Sequence, residues 1–210
     1  FLDTNPDGWE VHTTGEEQDT LYEIENIIGS TVADKITGDA AANSINGFTG
    51  NDTIKGGAGA DILSGGAGDD ILSGGAGVDK IYGDDGDDTI VDVDNEFTGD
   101  TIDGGDNTAL GDTVDYHKLT DSIEVTLNDS ATNSVYVKVG SDITNHQIVN
   151  IENIIGASAI DKITGNSSNN TIDGRDGNDI LKGEAGDDSL IGGEGDDTLE
   201  GGTGDDELSG

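Results

Sequence analysis

The chain has 210 residues, with 46 Asp and Glu against 8 Lys and Arg, a net charge of −38, 35 Gly and no Cys. Eight basic side chains cannot neutralise a phosphate backbone, which excludes nucleic-acid binding, and no apolar stretch approaches the ~20 residues of a membrane span, which excludes membrane insertion. Without Cys there is no disulfide, thiolate or Cys-based zinc chemistry, so another staple must hold a chain this acidic and this poor in apolar side chains.

Taken in chain order, residues 1–28 read as a partial β-coil, the end of a preceding unit. Phe1 stands where a Met would, and no signal peptide opens the chain, so the sequence reads as a segment of something larger. Trp9 is the only Trp. An exposed indole stacks on sugar rings, although aromatics more often pack.

From Gly29 to Val91 a nine-residue period takes over: Gly29, Gly38, Gly47, Gly56, Gly65, Gly74 and Gly83 each open a repeat. Residues 92–155 change character and read as degenerate repeats and bridging β-coils. Asp92, Asp94 and Glu96 alternate like the start of an EF-hand loop, but Phe97 occupies the place of its Gly and Asp103 that of its Glu. Ile123–Leu127 and Val135–Val139 alternate apolar with polar residues and predict two strands, with the polar run Asn128–Ser134 as a loop between them. The period resumes over 156–210, with Gly156, Gly165, Gly174, Gly183, Gly192 and Gly201 in first position. A longer repeat also shows: Ile24–Gly29 recurs as Ile151–Gly156, 127 residues later.

Of the 13 nonapeptides, all have Gly at position 1 and an aliphatic residue at position 8, while position 6 is Asp in 11 and Asn in Asn43 and Asn170. Gly-rich positions 1–4 predict a turn that exploits positive φ and close backbone approach. The x-aliphatic-x half predicts a very short strand with one buried side chain. One turn and one strand per repeat reverse the chain every nine residues, so repeats 18 residues apart stack as parallel strands at about 4.8 Å. One buried Ile or Leu per repeat returns about 1.5–3 kcal/mol, far less than nine ordered residues cost at roughly 1.5 kcal/mol each. The stacked position-6 carboxylates, Asp52 over Asp70 and Asp61 over Asp79, add repulsion of roughly 3–4 kcal/mol per step. A cation between turns reverses that sign. Oxygen donors alone, with no Cys and no clustered His, select Ca²⁺.

The stretches Gly56-Gly57-Ala58-Gly59-Ala60-Asp61-Ile62-Leu63-Ser64 and Gly65-Gly66-Ala67-Gly68-Asp69-Asp70-Ile71-Leu72-Ser73 resemble the RTX, or haemolysin-type, calcium-binding nonapeptide. The resemblance implies an all-β fold, a parallel β-roll or right-handed β-solenoid, with calcium between stacked turns. It assigns carboxylate ligands to Asp52, Asp61, Asp70, Asp79 and Asp88 in the first array, and to Asp179, Asp188, Asp197 and Asp206 in the second. It assigns main-chain carbonyl ligands to Gly50, Gly57, Gly59, Gly66, Gly68, Gly75, Gly77 and Gly86, then to Gly177, Gly186, Gly193, Gly195, Gly202 and Gly204. Asp34, Asp100, Asp112 and Asp161 are weaker candidates. The first two repeats of each array depart from the pattern, with Val32, Ala41, Ala159 and Ser168 in place of Gly at position 4. Those coils are expected to bind calcium weakly or not at all and to act as caps or transitions. Gly104 to Tyr116 looks like the degenerate end of an array.

The function expected is a non-catalytic calcium-binding module of a secreted or surface bacterial protein, exported by type I secretion and folding on extracellular calcium. A calcium-dependent polysaccharide-binding or adhesion module, and a spacer in a long adhesin, are the competing expectations. The expected partners are calcium, neighbouring domains of a larger parent chain and, in the adhesion reading, a polysaccharide. No HExxH, GxSxG or phosphate loop occurs, and His12, His117 and His146 share no motif.

Overall fold

The computed structural model describes residues 24–91, 99–129, 135–139 and 146–210, with the backbone alone given for 135–139 and His146. Trp9, His12, Asp92, Asp94, Glu96 and most of the Asn128–Ser134 run lie outside them. The first array folds into β1 (Asn26–Ile28), β2 (Lys35–Thr37), β3 (Ser44–Thr49), β4 (Thr53–Ala58), β5 (Ile62–Ala67), β6 (Ile71–Ala76), β7 (Lys80–Asp85) and β8 (Thr89–Val91). The middle of the chain contributes β9 (Thr101–Asp106), β10 (Thr113–Asp115), β11 (Ile123–Thr126), β12 (Val135–Val139), β13 (His146–Val149) and β14 (Asn153–Ile155). The second array adds β15 (Lys162–Thr164), β16 (Thr171–Asp173), β17 (Ile180–Ala185), β18 (Ser189–Ile191), β19 (Thr198–Thr203) and β20 (Glu207–Ser209). Among the described residues no helix forms, and none is long and apolar enough to cross a membrane.

Apart from β11–β13, successive strands alternate between two sheets, so the molecule is a parallel β-solenoid. Within each array the register is the expected 18 residues: Ile45 pairs with Leu63 and Leu63 with Ile81 in one sheet, Ile54 with Leu72 in the other. Position 8 points inward along the stack, with Ile36 and Leu199 partly buried and Leu208 of the last repeat exposed. Ile54, Leu63, Leu72, Ile90, Ile163, Ile172, Leu181 and Leu190 have no exposed surface, and they form one continuous thin core.

Several strands are twice as long as the nonapeptide predicts. β4, β5 and β6 run from position 7 of one repeat to position 3 of the next, and Gly57 pairs with Gly75 and Ala58 with Ala76 in the same ladder. The turn proper is therefore only positions 4–6. The glycines divide the work. Position 1 is extended, and a Cβ there would run into the position-6 carboxylate of its own turn, as Gly47 would into Asp52. Positions 2 and 4 have positive φ: 111° at Gly57 and 115° at Gly59.

At position 2 four residues other than Gly hold this left-handed conformation: Phe48 (82°), Asp84 (73°), Arg175 (72°) and Glu184 (81°). A residue with a Cβ loses roughly 1–2 kcal/mol there. Glu184→Gly is expected to stabilise the protein by up to about 1 kcal/mol after the extra freedom of Gly in the unfolded chain is subtracted. Thermal unfolding should then show a rise of about 2–4 °C, and an unchanged or lower melting point would count against the strain.

Between the arrays the sheets become unequal. One sheet places β13, β12 and β11 between β9 and β15, whereas the other places only β14 between β10 and β16. The two strands predicted from alternation, β11 and β12, both form, but β12 runs antiparallel to both β11 and β13. The chain thus steps forward to β11, meanders back to β13 beside β9, and rejoins the parallel solenoid at β14. Fully buried Tyr116, with Leu119, Ile123 and Val125, supplies a bulkier core here than one aliphatic residue per repeat.

Candidate metal centre

The position-6 side chains line both edges of the solenoid, one above the other. Along each stack, up to its last member, the backbone N–H at position 6 donates to Oδ1 of the position-6 side chain on the next coil. On one edge the ladder runs Asp34, Asp52, Asp70, Asp88, Asp112, with N···O distances of 2.7–2.8 Å. On the other it runs Asn43, Asp61, Asp79, Asp100 at 2.7–2.8 Å. The second array repeats both, as Asp161–Asp179–Asp197 and Asn170–Asp188–Asp206 at 2.8–3.1 Å. Asp100 and Asp112, weak candidates by spacing, stand in line with the strong ones. Their offsets along the ladder are 21 and 24 residues instead of 18.

One hydrogen bond satisfies Oδ1 and leaves the other oxygen. Oδ2 of Asp52, Asp61, Asp70, Asp79, Asp88, Asp112, Asp179, Asp188 and Asp197 is buried with no hydrogen-bond partner. An isolated buried carboxylate oxygen is costly, and a row of them at coil spacing is costlier. Burial pushes the carboxyls of Asp52 and Asp70 up to about 6 and those of Asp88 and Asp112 up to about 7, from an ordinary 3.8. The amide that each accepts opposes this, and the neighbouring carboxylates reinforce it. Asp61, Asp79, Asp179 and Asp188 shift the same way, again mainly through burial.

Main-chain oxygens converge on the same space. A Cβ on Gly47 would meet Asp52 Oδ2 and the Gly65 carbonyl together, and one on Gly56 would meet Asp61 Oδ2 and the Gly74 carbonyl. The carbonyls of Gly50, Gly57, Gly59 and Gly68 likewise face the next coil, where a Cβ on Gly68, Gly75, Gly77 or Gly86 would strike them. Among the described residues no three acidic or His side chains converge. A cation here must therefore draw on backbone carbonyls as well as carboxylates. Such an all-oxygen, flexible donor set fits Ca²⁺ better than Mg²⁺ or a transition metal.

A second ladder lies outside the first. Position-5 side chains accept from the position-5 amide one coil on: Asn51 from Asp69, Asp69 from Asp87, Asn169 from Asp187, and Asp187 from Asp205. Asp87 ends the first of these differently. Its carboxylate takes the amide and hydroxyl of Thr108 and the amides of Ala109, Leu110 and Gly111, which holds it well below the usual carboxylate range. Glu152 Oε2 clasps the same loop through Asn107 Nδ2 at 2.8 Å and the Asp112 amide at 3.0 Å. Spacing alone does not reveal this clamp. His117 makes a local pair, its Nδ1 2.7 Å from Asp115 Oδ2.

No curated protein matches the chain. Among solved structures it is similar to the solution structure of the AlgE6R3 subunit from the Azotobacter vinelandii mannuronan C5-epimerase, at 29% identity over 63% of this chain and 78% of that one, with a TM-score of 0.34. The profile of the RTX calcium-binding nonapeptide repeat matches four overlapping copies, at residues 28–63, 55–90, 155–190 and 173–208, together more than half of the sequence. The chain belongs to the family of RTX calcium-binding nonapeptide repeats.

Proposed function

We propose that this chain is a non-catalytic, calcium-coupled folding module of a secreted or cell-surface bacterial protein, built as two calcium-binding arrays, 29–91 and 156–210, joined through 92–155. The observation that carries the reading is the row of buried, unpaired Oδ2 atoms along both edges. Asp52, Asp61, Asp70, Asp79, Asp88, Asp179, Asp188, Asp197 and Asp206 would hold the ions together with carbonyls of the positive-φ glycines, and Asp100 and Asp112 would extend the same ladders. The ion supplies one thing, positive charge between coils. The protein supplies the spacing, the exclusion of water and the amide that orients each carboxylate.

The switch follows from charge. With calcium scarce, a chain of net charge −38 repels itself and stays extended, a form suited to export. At the millimolar calcium to which extracellular modules are tuned, binding energy becomes folding energy. Far-UV circular dichroism during a calcium titration from a chelated start at pH 7.5, repeated with magnesium, tests this. The expected result is a cooperative rise of β-structure near millimolar calcium and none with magnesium. A spectrum already rich in β-structure in chelator would remove the switch.

A further inference from the structure

The four opening turns of the two arrays differ from the rest in one peptide. In every turn whose Oδ2 is orphaned, position 2 has positive φ, from 72° at Arg175 to 111° at Gly57. In the opening turns, position 2 is Ser30, Asp39, Ala157 or Asn166, none of which has positive φ. There the position-2 N–H turns inward and donates to the position-6 side chain of its own turn: Ser30 to Asp34 Oδ2 at 2.6 Å, Asp39 to Asn43 Oδ1 at 2.9 Å, Ala157 to Asp161 Oδ2 at 2.7 Å, and Asn166 to Asn170 Oδ1 at 2.9 Å.

In three of these turns the remaining position-6 atom is committed as well. Asp161 Oδ1 accepts the Ile123 amide at 2.8 Å, so both of its oxygens are taken. Asn170 Nδ2 donates to the Glu152 carbonyl at 2.7 Å, and Asn43 Nδ2 donates to that of Ile24 at 3.3 Å. An amide nitrogen here meets a carbonyl oxygen of the preceding coil with a partial positive charge, which a cation provides in the other turns. A carboxylate in its place would set oxygen against oxygen.

We infer that the opening turns 29–34, 38–43, 156–161 and 165–170 are closed by the protein's own N–H groups and bind no calcium, and that the position-2 peptide sets which kind of turn forms. An ion entering them would have to break the position-2 hydrogen bond first. Each array then begins on one metal-independent coil, made of its two opening turns, and calcium-dependent coils stack onto it toward the C-terminus. In the second array the start is tied to the middle of the chain, through Ile123 and Glu152. This rests on the reading that the other position-6 carboxylates take calcium.

The test is the number of calcium ions bound by the full chain at saturation, measured by native mass spectrometry on the wild type, Asp161→Asn and Asp179→Asn. Asp179→Asn is expected to lose at least one ion. Asp161→Asn is expected to keep the wild-type number while melting earlier, because Asn offers one acceptor to two amides. Loss of an ion in Asp161→Asn overturns the inference alone. An unchanged number in Asp179→Asn overturns the ladder reading beneath it. Should Asp161→Asn fail to fold, the calcium-loaded wild type decides by NMR. Scalar coupling across the hydrogen bond from the Ala157 amide to the Asp161 carboxylate carbon is expected, and its absence overturns the inference.

Discussion

In chelator, the protein is expected to hold its β-sheet near pH 5 and to lose it as the pH rises through 7. Burial raises the ladder carboxyls of Asp52 and Asp70 to about 6 and of Asp88 and Asp112 to about 7, against 3.8 when unfolded. A group whose folded pKa lies above its unfolded one favours the fold when protonated. Its contribution is complete below about pH 4 and is lost as the pH climbs through 6–7. Calcium reverses the trend, because it competes with protons for the same oxygens. Its affinity should therefore rise with pH, and binding near pH 6.5 should expel protons, seen as a buffer-dependent heat in calorimetry. Melting temperatures across pH 5–8, with and without calcium, provide the check. A chelated protein whose stability is flat or rises over that window would mean that the ladder carboxylates do not oppose folding.

How far the sequence carries the structure depends on what kind of information each feature needs. The nine-residue period sets the solenoid, because Gly at position 1, Asp at position 6 and an aliphatic residue at position 8 each meet a requirement within one coil. The state of the position-2 peptide does not follow from composition in the same way. Phe48, Asp84, Arg175 and Glu184 take positive φ although none is Gly: Phe48, Asp84 and Glu184 pair with a Gly on a neighbouring coil, and the Arg175 carbonyl accepts the Glu194 amide there. Asp112 joins its ladder because insertion lengthens the loop at 106–111 and not the stack, and the clamp from Asp87 and Glu152 uses residues 21–45 positions away in sequence. Both strands of the β11–β12 pair were legible from alternation. Their antiparallel direction was not, since a period of two is the same read either way.

The position-6 carboxylates and the position-8 aliphatics should fail in opposite manners, which separates the ion's share of stability from the core's. Leu72 is wholly buried in β6, and Leu72→Ala is expected to cost about 2–5 kcal/mol with or without calcium. Asp70 stands two residues earlier, mid-ladder, accepting the Asp52 amide and donating to Asp88. Asp70→Asn keeps an oxygen for that amide and removes the charge. In calcium at about a hundred times the dissociation constant, loss of one site should cost about 2.7 kcal/mol. In chelator the sign should invert, because one of the stacked charges is gone. The pH at which the chelated protein loses its sheet should then move upward in Asp70→Asn and downward in Leu72→Ala. Circular dichroism over a pH titration of both variants in chelator, with thermal melts of both in calcium, reads this out. Destabilisation of Asp70→Asn under both conditions would assign Asp70 to hydrogen bonding alone, and the repulsion between coils would lose its place as the switch.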